Sequence, residues 1–341
     1  MKRHEIKYNG RFEFEAGGES GNLKIAFHTS EKPYRGKDDT RKVVWICHAL
    51  TANSDPSDWW PELVGKGKYL DPDKYFIVCV NMLGSPYGSS GPSSINPETG
   101  KPYYFDFPLI TVRDIVKANI IVRRHLAIEH ADLLIGGSIG GFQVLEWLIM
   151  EPVFARNALI VACGFRVSPW VTAFNESQRM ALEADPTFRQ CQSLKGGESG
   201  LRCARSIALI SYRSYRGYAD TQYESDQDTM FAQRAVSYQQ YQGKKLSDRF
   251  DAYSYYYLTK SVDSYNVGRG RSGVETALKS VRARTFVAGI DTDGLFPVTE
   301  QKDMALMIPG AKFREISSRF GHDGFLLEYD RLIEILDEIN I

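Results

Sequence analysis

The sequence predicts an α/β protein, with a mostly parallel sheet covered by helices on both faces and a late helical insertion. Three observations predict it. Short apolar runs bounded by turn residues are continuous rather than alternating, as in strands buried on both faces. Helical periodicity fills the segments between them, the alternation expected of crossover connections. From residue 166 to 271 the apolar runs largely stop and helical patterns follow one another.

Along the chain, segments 12–15 and 23–28 alternate apolar with polar residues and are expected as an antiparallel edge. Runs at 43–47, 75–80, 133–135, 158–161 and 285–288 are the expected inner strands, with a further strand at 312–316. Thr111 is a good helix N-cap, and Ile115, Ala118, Val122 and Leu126 then share one face. A second helix opens after Ser138 and carries Val144, Leu145 and Leu148. Ser168-Pro169 is a helix start, with Pro at the first helical position, and that helix is expected to reach about Ala184. Segments 201–215, 230–241 and 246–258 also read as helical. The expected organisation is therefore a core from 1–165, a helical lid insertion over 166–271, and a second core segment at 272–341.

Composition excludes several function classes. The 341 residues are 43% hydrophobic and 25% charged, with 42 basic and 42 acidic residues. A net charge of zero argues against a nucleic-acid-binding protein, whose mark is a basic excess. No run of about 18 apolar residues suggests a membrane span, and the N-terminus lacks the apolar region of a signal peptide. The five cysteines show no zinc or redox spacing. Three lie in apolar runs, so a reducing, cytoplasmic compartment is expected. No cluster of metal ligands is visible, and no metal is expected.

The chemistry converges on one serine. Gly136-Gly137-Ser138-Ile139-Gly140 is a G-x-S-x-G pattern that follows a buried run and opens a helix. That context is the one in which a nucleophilic serine sits on a sharp strand-to-helix turn. The plainer alternative is a glycine-rich turn or a phosphate loop, and no Gly-Lys-Ser/Thr follows to make a Walker loop. A serine hydroxyl needs a base, held in turn by a third group. Of the six histidines only His322 follows Ser138, as the chain order of such sites requires. Its acid is expected in the loop after the 285–288 strand, where Asp291 and Asp293 are equally placed. An oxyanion hole needs two backbone N–H groups. Ile139 supplies one, and the loop Cys47-His48-Ala49-Leu50-Thr51 is expected to supply the other from Leu50. His48 is read as a support of that loop rather than as the base.

A resemblance extends well beyond these residues. Cys47–Thr51, the stretch from Gly88 to Gly100 with Asp106-Phe107-Pro108, and Thr111–Asp114 resemble segments of homoserine O-acetyltransferases. Gly136–Gly141 with Gln143, Glu146 and Trp147 does too, as do Phe174-Asn175-Glu176 with Gln178-Arg179, Leu295-Phe296-Pro297 and Gly321-His322-Asp323. The similarity runs from about residue 40 to 330. It implies an α/β-hydrolase fold with a helical lid, a homodimer formed through that lid, and ping-pong acyl transfer from acetyl-CoA to L-homoserine. Neither a bound cofactor nor a metal is implied.

The resemblance selects Asp293 over Asp291, and implies that Arg205 and Tyr212 hold the homoserine carboxylate while Asp323 holds its ammonium. Two departures stand out: Ile139 replaces the family's usual Met, and Ser85-Pro86 replaces a glycine-and-cysteine sequence. A succinyl-CoA donor, a serine acceptor, or an esterase or thioesterase using water remain the rival readings.

Overall fold

In the computed structural model, which describes Met1–Ile341, the continuous apolar runs become the inner strands of an eight-stranded sheet. Its strands are β1 (Lys2–Tyr8), β2 (Leu23–Thr29), β3 (Lys42–Cys47), β4 (Tyr75–Val80), β5 (Ala131–Gly137), β6 (Ala155–Val161), β7 (Arg284–Ile290) and β8 (Lys312–Ile316). They lie in the order β1-β2-β4-β3-β5-β6-β7-β8. Only β2 runs against the rest, pairing antiparallel with both β1 and β4. Apolar side chains on the two faces form separate cores, one around Trp45, Trp147 and Phe142, the other around Trp60, Ile135 and Phe325.

The edge differs from expectation. Segment 12–15 does not join the sheet; Phe12–Glu13 pairs only with Glu19–Ser20 in a small separate hairpin. Its alternation reflects packing against a helix: Phe12 and Phe14 are buried, and Lys117 lies over the Phe12 ring. The true edge is β1, paired from Lys2 with Thr29 to Tyr8 with Leu23. Its sequence is mostly charged and exposed, so it carries almost no apolar signal. Charges on an edge strand also discourage pairing with another chain.

Helix α1 (Val112–His125) starts at Thr111 through a capping box with Asp114. Asp114 also accepts from the Glu15 N–H, which ties the hairpin down. Helix α2 (Ile139–Met150) is buried for ten consecutive residues from Ile139 to Leu148, because it passes directly behind β5. No helix of the chain is long and apolar enough to cross a membrane.

Between β6 and β7 come α3 (Pro169–Glu183), α4 (Glu198–Tyr212), α5 (Tyr215–Gln222), α6 (Arg234–Ser247), α7 (Ala252–Asp263) and the short α8 (Val274–Lys279). Helix α3 starts at the Ser168 cap as expected. The other boundaries move for reasons set by side chains. The 246–258 helix is split, since α6 ends at Ser247 while Asp251 caps α7 by accepting from the Ser254 N–H at 2.7 Å. Helix α4 stops at Tyr212, and Ser214 caps α5. Helix α6 starts at Arg234 because Glu224 accepts from the Gln233 and Arg234 N–H groups, a cap from ten residues away. Helices α9 (Val298–Met307) and α10 (Tyr329–Ile339) complete the covering of the sheet.

The return of the chain from α7 toward the sheet is held by charge. Glu146, on α2, is 1% exposed and accepts from Arg113 Nε at 3.0 Å and from Arg271 at 2.9 Å. Glu15 bridges Arg113 to Arg269. Phe142, also on α2, stacks on Tyr265 with ring centroids 4.1 Å apart.

Candidate active site

The site forms where β5 ends and α2 begins. Ser138 adopts φ 57° and ψ −129°, a strained conformation for a residue with a side chain. The turn is possible because of what flanks it. A Cβ on Gly136 would lie 2.5 Å from the Gly140 carbonyl, and one on Gly140 would lie 2.2 Å from the Cys47 carbonyl oxygen. The two glycines therefore let α2 approach both strand ends closely, leaving Ser138 projecting above the sheet.

His322 reaches Ser138 from the loop after β8. Its Nδ1 lies 2.7 Å from Asp293 Oδ2 and its Nε2 lies 2.9 Å from Ser138 Oγ. A carboxylate only accepts, so Nδ1 carries the proton and Nε2 is left to accept from the serine hydroxyl. Asp293 is itself fixed by the Leu295 and Phe296 N–H groups, which donate to its Oδ1 at 2.8 and 2.9 Å. Asp291 faces away and accepts from Ser317 and Ser318. Burial alone would disfavour protonated His322, but the Asp293 charge and hydrogen bond, with Asp323 adding to them, raise its pKa above the ordinary 6.5. The His322 ring is also walled in by Phe296 and Phe325.

Two residues on the cavity beside Ser138 have backbone N–H groups without a protein acceptor. Ile139 is the first residue of α2, so its N–H has no partner within the helix. Leu50 follows β3, and its N–H donates to no protein acceptor. Buried His48 shapes that loop: its Nδ1 donates to the Ala49 carbonyl at 2.9 Å and its Nε2 accepts from the Met82 N–H at 3.0 Å. Burial pushes its pKa down to about 4, so it stays neutral and structural. Arg249, between α6 and α7, donates to the Thr51 carbonyl at 2.6 Å and to the Tyr87 hydroxyl, joining the helical segment to the same loop.

A narrow cavity of about 30 Å³ opens beside Ser138. That is room for roughly two water molecules. Leu50, Ile139 and Tyr212 line it, together with Phe142, Val171, Phe174, Asn175, Gln178, Ser211, Val262, Leu295 and Phe296. No cationic side chain does. Most of these wall residues were not singled out from sequence as site residues. Their apolar positions read as ordinary helix core, and only the topology turns them toward Ser138.

The remaining sequence candidates lie close by but are arranged unevenly. The Tyr212 ring is 5.7 Å from that of His322. Arg205, about two turns earlier on α4, sits behind Tyr212 with its guanidinium 5.6 Å from that ring's centroid, and is not on the cavity wall. Asp323 is 3.2 Å from Arg213 Nε, a neighbour that no sequence pattern singled out.

Ser138, His322 and Asp293 thus form a hydrogen-bonded chain with the geometry that a nucleophile, base and orienting acid require. A family model described as the α/β hydrolase fold matches residues 42–329. A homoserine O-acetyltransferase of Cyclobacterium marinum is 44% identical over 322 residues, covering 94% of this chain and 90% of that protein. Among solved structures, a homoserine O-acetyltransferase from Bacillus anthracis superposes with a TM-score of 0.89 at 22% identity, covering 99% of this chain and 97% of that one. Esterase E22 superposes with a TM-score of 0.87 at 21% identity, covering 99% of both chains. At such identities both structures speak to the fold alone.

Proposed function

The chain belongs to the homoserine O-acetyltransferase family on the α/β-hydrolase fold, and from that premise we propose that it moves an acetyl group from acetyl-CoA to L-homoserine through acetyl-Ser138. The observation that carries this reading is the alignment of Ser138, His322 and Asp293 in a chain 44% identical to a homoserine O-acetyltransferase.

In the first half-reaction His322 Nε2 takes the Ser138 proton while Oγ attacks the thioester carbonyl. The Leu50 and Ile139 N–H groups receive the oxyanion. The C–S bond breaks, His322 returns the proton to the thiolate, and CoA leaves. In the second, His322 takes the proton of the homoserine side-chain hydroxyl, whose oxygen attacks acetyl-Ser138. O-acetyl-homoserine departs and Ser138 recovers its proton. Arg205 and Tyr212 hold the acceptor carboxylate and Asp323 its ammonium. Fixing both charged ends positions the hydroxyl better than water, which favours transfer over hydrolysis.

The cavity supports acetyl rather than succinyl. It is small and mostly apolar, which suits an acetyl group better than a longer, charged succinyl group. Helices over 166–271 form the acceptor lid in this reading. The same segment exposes Ile210, Tyr215, Tyr223, Met230, Phe231, Val236 and Tyr241. That apolar concentration supports a homodimer formed through the lid. All five cysteines are free thiols, three of them buried, which suits a cytoplasmic setting.

The test is thiol release from acetyl-CoA with homoserine, with serine and with no acceptor. Release that depends on homoserine supports the reading, and equally fast release with water alone would replace it with a thioesterase. Light scattering on Phe231→Asp tests the dimer: a variant of unchanged mass would remove the lid interface.

A further inference from the structure

We propose that Arg213 is a positioning residue that acts as an internal stand-in for the acceptor's ammonium, compensating Asp323 while the donor half-reaction proceeds. The inference rests on the reading that Asp323 holds the ammonium of homoserine.

Three observations carry it. Asp323 directly follows the base, and its carboxylate is mostly buried, so its charge acts on His322 through little water. The cation nearest that carboxylate is Arg213 Nε at 3.2 Å, supplied by the end of α4. The pairing is loose. Arg213 Nε is buried yet makes no aligned hydrogen bond, and the other contact of the guanidinium is a long one of 3.4 Å to the Tyr238 hydroxyl. A built, permanent ion pair would satisfy its donors. This one is arranged to be exchanged.

The backbone holds the two residues in register. A Cβ on Gly321 (φ 67°) would lie within 2.8 Å of Ser214 N and of Arg213 C, so the α4–α5 junction packs directly on the His322 loop. Ser214 donates to the Arg319 carbonyl across the same seam. The charged and titratable groups around His322 are then Asp293 from the loop after β7, Asp323 on its own turn, and Tyr212, Arg205 and Arg213 from α4 and its end. Arg319 is turned onto Phe320, and Asp291 onto Ser317 and Ser318.

Two carboxylates flanking one imidazole hold a proton on it, and a base that is already protonated cannot activate Ser138. During attack on acetyl-CoA no acceptor is bound, so Arg213 must offset Asp323. When homoserine arrives, its ammonium exchanges with the guanidinium. One cation replaces another, and Asp323 is not desolvated a second time.

The test compares Arg213→Gln, Arg213→Lys, Asp323→Asn and the Arg213→Gln/Asp323→Asn double variant. In a ping-pong enzyme kcat/KM for acetyl-CoA reports the donor half alone. For Arg213→Gln its acid limb should move up by about half a pH unit or more, and the homoserine KM should fall by roughly threefold or more as the competing cation is lost. Arg213→Lys should restore the limb, and the double variant should titrate like Asp323→Asn. An Arg213→Gln limb that coincides with the parent's, or a raised homoserine KM, would overturn the inference. Failure of the underlying reading looks different: Asp323→Asn would then leave the homoserine KM unchanged.

Discussion

Ser138 and His322 are 184 residues apart in the chain, yet His322 Nε2 lies 2.9 Å from Ser138 Oγ. The helices between β6 and β7 account for most of that separation, while the parallel sheet returns both residues to one edge. Ser138→Ala should therefore abolish the acetyl adduct seen by intact mass after mixing with acetyl-CoA, and should lower kcat by at least about a thousandfold. An adduct that persists in the variant would move the nucleophile elsewhere.

The pH profile follows from the same pair. His322 must be neutral to accept the serine proton, so kcat/KM for acetyl-CoA rises with pH through its pKa. That pKa is raised because the Asp293 charge and hydrogen bond overcome the opposing effect of burial. The acid limb should consequently have its midpoint above 6.5. Asp293→Asn should lower kcat by roughly 10⁴-fold and shift the midpoint down, since the group that favours the imidazolium is gone. A midpoint that stays put would detach Asp293 from the base.

Much of this was legible before the structure, and the limits have physical causes. Buried parallel strands announce themselves as continuous apolar runs, and G-x-S-x-G with a single downstream histidine isolates Ser138 and His322. Asp291 and Asp293 could not be separated by spacing, because both sit in the same turn and only one carboxylate points inward. The edge strand Lys2–Tyr8 was silent, since a charged, exposed strand lacks the burial that creates a pattern. Arg213 was silent too. Its significance comes from the His322 loop packing on the α4–α5 junction, a contact between distant parts of the chain.

Gly140 marks the closest approach of α2 to β3. An added methyl there would meet backbone, the Cys47 carbonyl oxygen at 2.2 Å and its carbon at 3.0 Å, and backbone yields less readily than a side chain. Gly140→Ala should destabilise the fold by about 1–3 kcal/mol, an overpacking cost. Because Cys47 leads into the Leu50 loop, kcat should fall along with the melting temperature. Calorimetry and a kcat measurement on one preparation check both, and an unshifted melting temperature would mean that α2 can move away freely.

Glu146 tests how the return from the helical segment is fastened. Its buried carboxylate serves Arg113 and Arg271, and the Gln variant keeps its shape while removing its charge. Arg271 would then lose its carboxylate, while Arg113 would keep only Glu15. Breaking such a buried cluster by removing one partner costs about 3–5 kcal/mol, and Glu146→Gln should show that loss in a denaturant titration. A loss well under about 1 kcal/mol, the scale of a surface pair, would mean that water reaches the cluster.

Arg205 decides whether the acceptor clamp exists. Its guanidinium lies against Tyr212 rather than on the cavity wall, one ring away from His322. A charged partner gripped there would gain about 1.5–3 kcal/mol, or roughly 10- to 100-fold in affinity. Arg205→Met should therefore raise the homoserine KM by about that factor, with a much smaller change in kcat/KM for acetyl-CoA, because the acceptor takes no part in the donor half. Arg205→Lys should recover only part of the loss, since an ammonium cannot bind a carboxylate through two parallel N–H groups. Equal losses in both half-reactions would assign Arg205 to the packing of α4 rather than to the acceptor. An unchanged homoserine KM would leave Tyr212 and Asp323 as the only acceptor contacts of the set.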